Sequence, residues 1–148
     1  MLIRHAEKED IQQLVALCKE HSVYEKAEYS LENKAYLLTQ ALFDNAPPLN
    51  CLVIANQNLL YGYATFMQQF STWDAEYYLY LDCLFLKEEV RGHGYGSKLL
   101  SVIIDEAKKR KIKMLQWQTP TFNRLAIDFY SKQGAHSKTK ERFFYNVC

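Results

Sequence analysis

The segment LFLKEEVRGHGYGSKLL, residues 84–100, carries three of the chain's five glycines, at the alternating positions 92, 94 and 96. An apolar run over residues 77–86 enters it and an amphipathic stretch over residues 97–110 leaves it. A strand that passes through a glycine turn into a helix presents backbone N–H groups at the helix N-terminus, where the dipole favours a negative ligand. Phosphate is the obvious candidate. Glycine lets the backbone approach such a ligand closely and take up positive φ, and Arg91 can add a charge-assisted contact. The spacing is neither the Gly-x-x-x-x-Gly-Lys-Ser/Thr of a Walker loop nor the Gly-x-Gly-x-x-Gly of a dinucleotide fold. A glycine-rich turn that binds nothing is the alternative for this loop alone.

After the junction, Leu99, Leu100, Ile103, Ile104 and Ala107 recur on one helical face, with Lys98, Asp105, Lys108 and Lys109 mostly off it. Before it, residues 49–55 and 59–70 flank Asn56-Gln57-Asn58 and read as an antiparallel hairpin, with residues 75–86 as the next strand. At the N-terminus residues 2–5 suggest a short strand, followed by a helix on the spacing of Ile11, Leu14, Val15, Leu17 and Cys18. A second helix starts with Ser30 as its cap, draws on Leu31, Tyr36, Leu38, Leu42 and Phe43, and cannot continue through Pro47-Pro48. Residues 112–118 read as a strand, 123–132 as a helix ended by Gly134, and 142–147 as a last strand. This order predicts an α/β (α+β) fold with a mixed, mostly antiparallel sheet flanked by helices.

At 148 residues the chain fits a single domain, residues 1–148. Hydrophobic residues at 49% and charged residues at 24% place it among ordinary soluble globular proteins. A net charge of +1 gives no general attraction to nucleic acid or an anionic membrane, so any anion site must be local. Cys18, Cys51, Cys83 and Cys148 form no CxxC pair, and His5, His21, His93 and His136 lack ligand spacing, so no metal and no disulfide framework is indicated. Reduced thiols and the charged N-terminus suggest a cytoplasmic protein. Residues 45–73 carry no charge, but prolines, amides and Gly62 interrupt them, which argues for strands over a membrane span.

The segment of residues 84–100 resembles the acetyl-CoA signature of GCN5-related N-acetyltransferases, a (Gln/Arg)-x-x-Gly-x-(Gly/Ala) core between a strand and a helix, with Arg91, Gly94 and Gly96 at its defining positions. The likeness extends from "IRHAEKEDI" to "NRLAIDFYSKQGA". Through "KEHSVYE", "YLYLDCLFL" and "NRLAIDFYSKQGA" the chain is most similar to the spermidine/spermine and thialysine acetyltransferase branch. The resemblance implies a fold of this type and acetyl-CoA as co-substrate, without a metal. Its pyrophosphate would lie over the amides of Gly92, His93, Gly94, Tyr95, Gly96 and Ser97. Pantetheine would pair with the backbone of Leu84, Phe85 and Leu86. Asn123 matches a position that commonly contacts the cofactor, and it also suits a helix N-cap.

Acetylating an amine needs its lone pair, and deprotonating a lysine-like ammonium at pH 7 costs roughly 4–5 kcal/mol. Asp82 stands out because it interrupts an otherwise apolar strand. Alternation puts Tyr78, Tyr80, Asp82, Leu84 and Leu86 on one face and Cys83 on the other, away from the pocket. A capping or ion-paired Asp82 at a solvated strand face is the other reading. The matching position in the branch is usually Glu; the shorter Asp favours a water relay or amine binding over direct base catalysis. The resemblance makes Tyr130 the general acid that protonates the departing thiolate, although any of eleven tyrosines can be a core ring. It also makes Tyr24 and Glu25 part of the amine pocket, where Glu25 and Asp82 would attract a dication and Tyr24 or Trp73 would hold its chain or ammonium; a solvated loop is the alternative. The aromatic cluster around Trp73 reads as core and subunit interface.

These features and the resemblance predict direct acetyl transfer from acetyl-CoA to a primary amine of a small molecule, a polyamine, diamine or lysine analogue, with neither nucleic acid nor membrane as partner, and the resemblance implies a homodimer. The alternatives are a protein or aminoglycoside acetyltransferase, a non-catalytic acyl-CoA-binding sensor and a nucleotide-binding module, the last disfavoured by the missing phosphate-binding lysine.

Overall fold

The structure, a computed structural model, describes residues 1–30 and 32–148, which form two compact units, Met1–Gln118 and Thr119–Cys148. The first holds a five-stranded sheet in chain order: β1 (Leu2–His5), β2 (Asn50–Asn56), β3 (Leu59–Ser71), β4 (Glu76–Leu86) and β5 (Leu115–Gln116). The first four strands run antiparallel to their neighbours, and β5 joins β4 in parallel. This is the mixed, mostly antiparallel α/β arrangement that the sequence predicts.

Helices cover both faces of this sheet. Leu52 and Ile54 of β2 pack in one apolar cluster with Leu99, Leu100 and Ile103 of α3 (Tyr95–Lys109), whereas Cys51, Val53 and Ala55 pack in another with α1 (Ile11–Tyr24) and α2 (Lys34–Phe43). Successive side chains of a strand point to opposite faces, so a strand covered on both sides is apolar throughout. The uncharged stretch that could be mistaken for a membrane segment is therefore the centre of the sheet, and no helix among the described residues is long and apolar enough to cross a membrane.

Helix α1 buries Ile11, Leu14, Val15 and Leu17, as its spacing predicts, and also His21. Its start is tied to β1: the Asp10 carboxylate accepts two hydrogen bonds from the Arg4 guanidinium, at 2.7 and 3.0 Å, and one from the Glu7 N–H at 2.8 Å. The Arg4 hydrogen bonds, opposed by burial, hold the Asp10 carboxyl below its usual range.

Several expectations are corrected. Helix α2 starts at Lys34, after Asn33 in the left-handed region at φ 57°, and not at Ser30. Ser30 Oγ instead accepts a local bond from the Glu32 N–H at 3.3 Å, the backbone competition typical of serine; Leu31, expected in this helix, lies outside the described residues. Strand β5 is shorter than residues 112–118, because the Ile112 N–H bonds Ala107 O at 2.9 Å and its side chain joins the α3 cluster, so the segment first completes the end of the helix. The aromatic cluster is not core. β3 and β4 run on past the last β2 partner, Phe66, and there Phe70, Trp73 and Tyr77 are exposed, Phe70 and Tyr77 meeting edge to face at 5.1 Å.

The second unit carries α4 (Arg124–Lys132). Asn123 Oδ1 caps it by accepting from the Ala126 N–H at 3.3 Å, and Gly134 ends it at φ 94°. The strand expected over residues 142–147 does not form; Phe143, Phe144, Tyr145 and Val147 are exposed. Alternating apolar residues satisfy a strand only when a neighbouring strand supplies backbone partners.

Gly62 lets β3 lie close against β4. A Cβ there would stand 2.8 Å from the Phe85 carbonyl oxygen and 3.1 Å from Ile54 Cδ1. The backbone oxygen cannot retreat without moving β4, and the Ile54 methyl is fully buried in the core on the β2 side. Gly62→Ala should therefore lower unfolding stability by about 1–3 kcal/mol in a urea titration, and an unchanged midpoint would show that β4 gives way freely.

Candidate active site

The turn into α3 has the geometry read from its glycines. Gly92 and Gly94 lie at φ 76° and 84°, conformations that strain any residue with a Cβ, although open space surrounds both positions. Gly94, at the N-cap, has no side chain to cap the helix, and helical bonding starts with the Lys98 N–H to Gly94 O at 3.1 Å. The preceding amides, those of Tyr95, Gly96 and Ser97, therefore stand outside the intrahelical ladder. His93 is exposed and Tyr95 is half-buried beneath Lys98, whose Nζ lies 5.2 Å from the ring centre.

Arg91 leaves this turn toward the sheet. Its Nε donates to Leu86 O at 2.8 Å, and its guanidinium carbon sits 4.6 Å from the Tyr24 ring centre and 5.4 Å from that of Phe85. The structure thus brings together Arg91, expected at the phosphate end, and Tyr24, expected in the amine pocket. Strand β5 pairs with β4 only at Leu79 and Tyr80. Among the described residues no strand occupies that side of Leu84, Phe85 and Leu86, which fits the backbone pairing expected of pantetheine.

Asp82 sits in a bulge. Thr65 pairs with Cys83 and Phe66 with Leu81, so β4 carries one extra residue, Asp82, without a register partner. The extra residue resets the alternation. Leu79, Leu81, Leu84 and Leu86 pack on the α3 side, while Cys83 and Phe85 pack with α1 and α2. This corrects two expectations: Leu84 and Leu86 do not share a face with Tyr78 and Tyr80, and Cys83 is not remote from Asp82, since its Sγ lies 3.8 Å from Asp82 Oδ2. Asp82 itself is exposed. Beside the bulge, Thr65 Oγ1 is buried with no hydrogen-bond partner among the described residues.

His21 is the site residue that sequence reasoning missed. Its Nδ1 lies 2.8 Å from Tyr63 Oη, its Nε2 3.3 Å from Glu25 Oε2, and its ring stacks on Phe85 at 5.0 Å. Burial disfavours the charged ring, but the Cys83 sulfur and the Glu25 carboxylate outweigh it and raise its pKa to about 9. The signal in the sequence was the i,i+4 spacing of His21 and Glu25 on one helical face. Burial likewise pushes the Tyr63 phenol and the Cys18 thiol up, so both are neutral near pH 7. Tyr24 and Glu25 are thus placed beside β4, whereas Trp73 projects from the hairpin tip, 97% exposed. Asn123 and Tyr130 belong to the second unit, at the cap and in the last turns of α4. No group of metal-binding side chains occurs among the described residues.

Comparison with known proteins adds four findings. The model of the acetyltransferase (GNAT) family matches residues 8–135. Thialysine N-epsilon-acetyltransferase of Bos taurus is 26% identical over 148 residues, covering 95% of this chain and 86% of that protein. Spermidine/spermine N(1)-acetyltransferase-like protein 1 of Homo sapiens is 24% identical over 146 residues, covering 94% of this chain but 21% of that longer protein. In fold, an aminoglycoside acetyltransferase from an uncultured soil metagenomic sample superposes with a TM-score of 0.80 at 18% identity, over 99% of this chain and 95% of that one.

The buried His21 ring gives the protein a pH signature. Its folded pKa exceeds the unfolded value of about 6.5, so its contribution to stability is complete below that pH and disappears as pH rises through about 9. The gap in thermal stability between the protein and His21→Gln should be widest at pH 6 and shrink by pH 10; a gap that widens with pH would show the ring to be neutral when folded.

Proposed function

As a member of the GNAT acetyltransferase family, with the family's model matching most of its length, the chain is an acyltransferase, and we propose that it moves the acetyl group of acetyl-CoA directly onto a primary amine of a small molecule. The acceptor class is a polyamine, diamine or lysine analogue, in keeping with the names of the curated relatives. The observation that carries this reading is the position of Asp82. It interrupts β4 at a bulge, two residues before the backbone of Leu84, Phe85 and Leu86 and at the end of the strand that leads into the positive-φ glycine turn.

Acetyl-CoA supplies an activated acetyl thioester. The amides of Gly92, His93, Gly94, Tyr95, Gly96 and Ser97, with Arg91, suit its pyrophosphate, and Asn123 is proposed to contact it as well. Asp82 is exposed and carries no ion pair among the described residues, so it is suited to orient the acceptor ammonium and take its proton through water. Tyr130 is proposed to give a proton to the departing coenzyme A thiolate. The chain is proposed to act as one catalytic domain, as a homodimer in the cytoplasm, where its free thiols stay reduced.

The test is coenzyme A release with purified protein against spermidine, short diamines, thialysine, an aminoglycoside and lysine-containing peptides, with product masses recorded. A mass gain of one acetyl group on a small amine supports the reading, and acetylation of peptides alone overturns it. Tyr130→Phe should lower kcat by about two orders of magnitude, within the usual range for a lost general acid, while acetyl-CoA binding persists. Equal turnover in that variant would remove Tyr130 from the mechanism.

A further inference from the structure

A diamine or polyamine carries a second positive charge, and a site that takes it needs a second anionic or aromatic receptor. Beside β4 the two groups suited to this are the Glu25 carboxylate and the Tyr24 ring, and both already hold a cation. Glu25 Oε2 faces His21 Nε2 at 3.3 Å, and the Tyr24 ring has the Arg91 guanidinium over it at 4.6 Å. His21 is fixed from all sides: by Glu25 at the end of its own helix, by the Tyr63 hydroxyl from β3 at 2.8 Å, and by Phe85 stacked from β4 with the Cys83 sulfur nearby. A ring that is 8% exposed and held at both nitrogens cannot swing aside to release Glu25. Asp82 remains as the carboxylate of this group with no ion pair among the described residues.

We propose that His21 is the residue that sets the charge of the acceptor: by occupying Glu25 it leaves one carboxylate, Asp82, for the reacting amine and makes the enzyme select amines whose far end is neutral or anionic over those that carry a second cation. The selection rests on the small-amine reading above and narrows it, favouring an acceptor of the amino-acid type over a polyamine. His21 acts here through Glu25 and is a positioning residue. Its protonated state at neutral pH, with a pKa of about 9, supplies the charge that cancels Glu25.

Three amines of equal chain length separate the outcomes: 5-aminopentan-1-ol, 5-aminopentanoate and 1,5-diaminopentane, compared by kcat/KM at pH 7.5. The wild-type protein should prefer the alcohol or the acid to the diamine. In His21→Gln the diamine should gain about tenfold relative to the alcohol, the scale of one unscreened charge pair, and the gain should appear in KM and vanish in His21→Gln/Glu25→Gln. His21→Asn serves as the second variant if the first does not fold, and the imidazole carbon shifts of His21, followed by NMR in wild type and Glu25→Gln, report the pair without turnover. A wild-type preference for the diamine, or a ratio that His21 substitution leaves unmoved, overturns the selection while the small-amine reading stands. Acetylation of none of the three, with peptides acetylated instead, overturns the small-amine reading and the selection with it.

Discussion

The single extra residue in β4 governs the arrangement of everything around it. Without the bulge, with Asp82 paired opposite Thr65 in unbroken alternation, Cys83 and Phe85 would point toward α3. With it, Phe85 turns to the α1 side and becomes the common surface on which His21, Tyr24, Tyr63 and Arg91 meet, with ring centres or the guanidinium carbon between 5.0 and 6.5 Å from its own. A bulge exposes one residue and re-aims its neighbours at little cost in pairing. The polar residue therefore emerges from an apolar strand at the place where the two helical layers hand over to the glycine turn. Gly62 completes the arrangement, because only a residue without a side chain lets β3 lie against the Phe85 carbonyl.

Much of this was legible in the sequence. The hairpin, the α3 face apart from Ile104, which is exposed, and the glycine turn follow from short-range rules: period-two and period-3.6 apolar spacing, turn amides and glycine's freedom at positive φ. The bulge was not legible, because a strand with one extra residue looks in sequence like any other, and the shift appears only when Thr65 and Phe66 are set opposite their partners. The strand expected at residues 142–147 failed for a related reason, since alternation describes a residue's faces and says nothing of a neighbour. Trp73 and its companions misled because aromatic residues are usually core, whereas here they extend beyond the strand that would cover them.

The site was legible in part, and unevenly. Arg91, Gly94 and Gly96 stand out through a motif with a physical basis. Glu25 and Asp82 look equivalent as two nearby acids, and only coordinates reveal that one is engaged by His21 and the other is not. Titration follows contacts that are distant in sequence: His21 owes its raised pKa to Cys83, sixty-two positions along the chain, as well as to Glu25. The i,i+4 spacing was visible, but it carries an ion pair's meaning only once the imidazole is known to be charged.

Arg91 joins the two proposed ends of the site, with its Nε on Leu86 O and its guanidinium over Tyr24. For anyone seeking to redesign the enzyme, the proposed roles of Arg91 and Tyr24 would tie the two substrate affinities together. An exchange of Tyr24 made to admit a bulkier acceptor also removes the platform beneath a cation suited to phosphate, so selectivity for the amine and tightness for the acyl donor move together. Libraries at this position need to vary both residues at once, because the useful solutions lie along the pair and not along either axis.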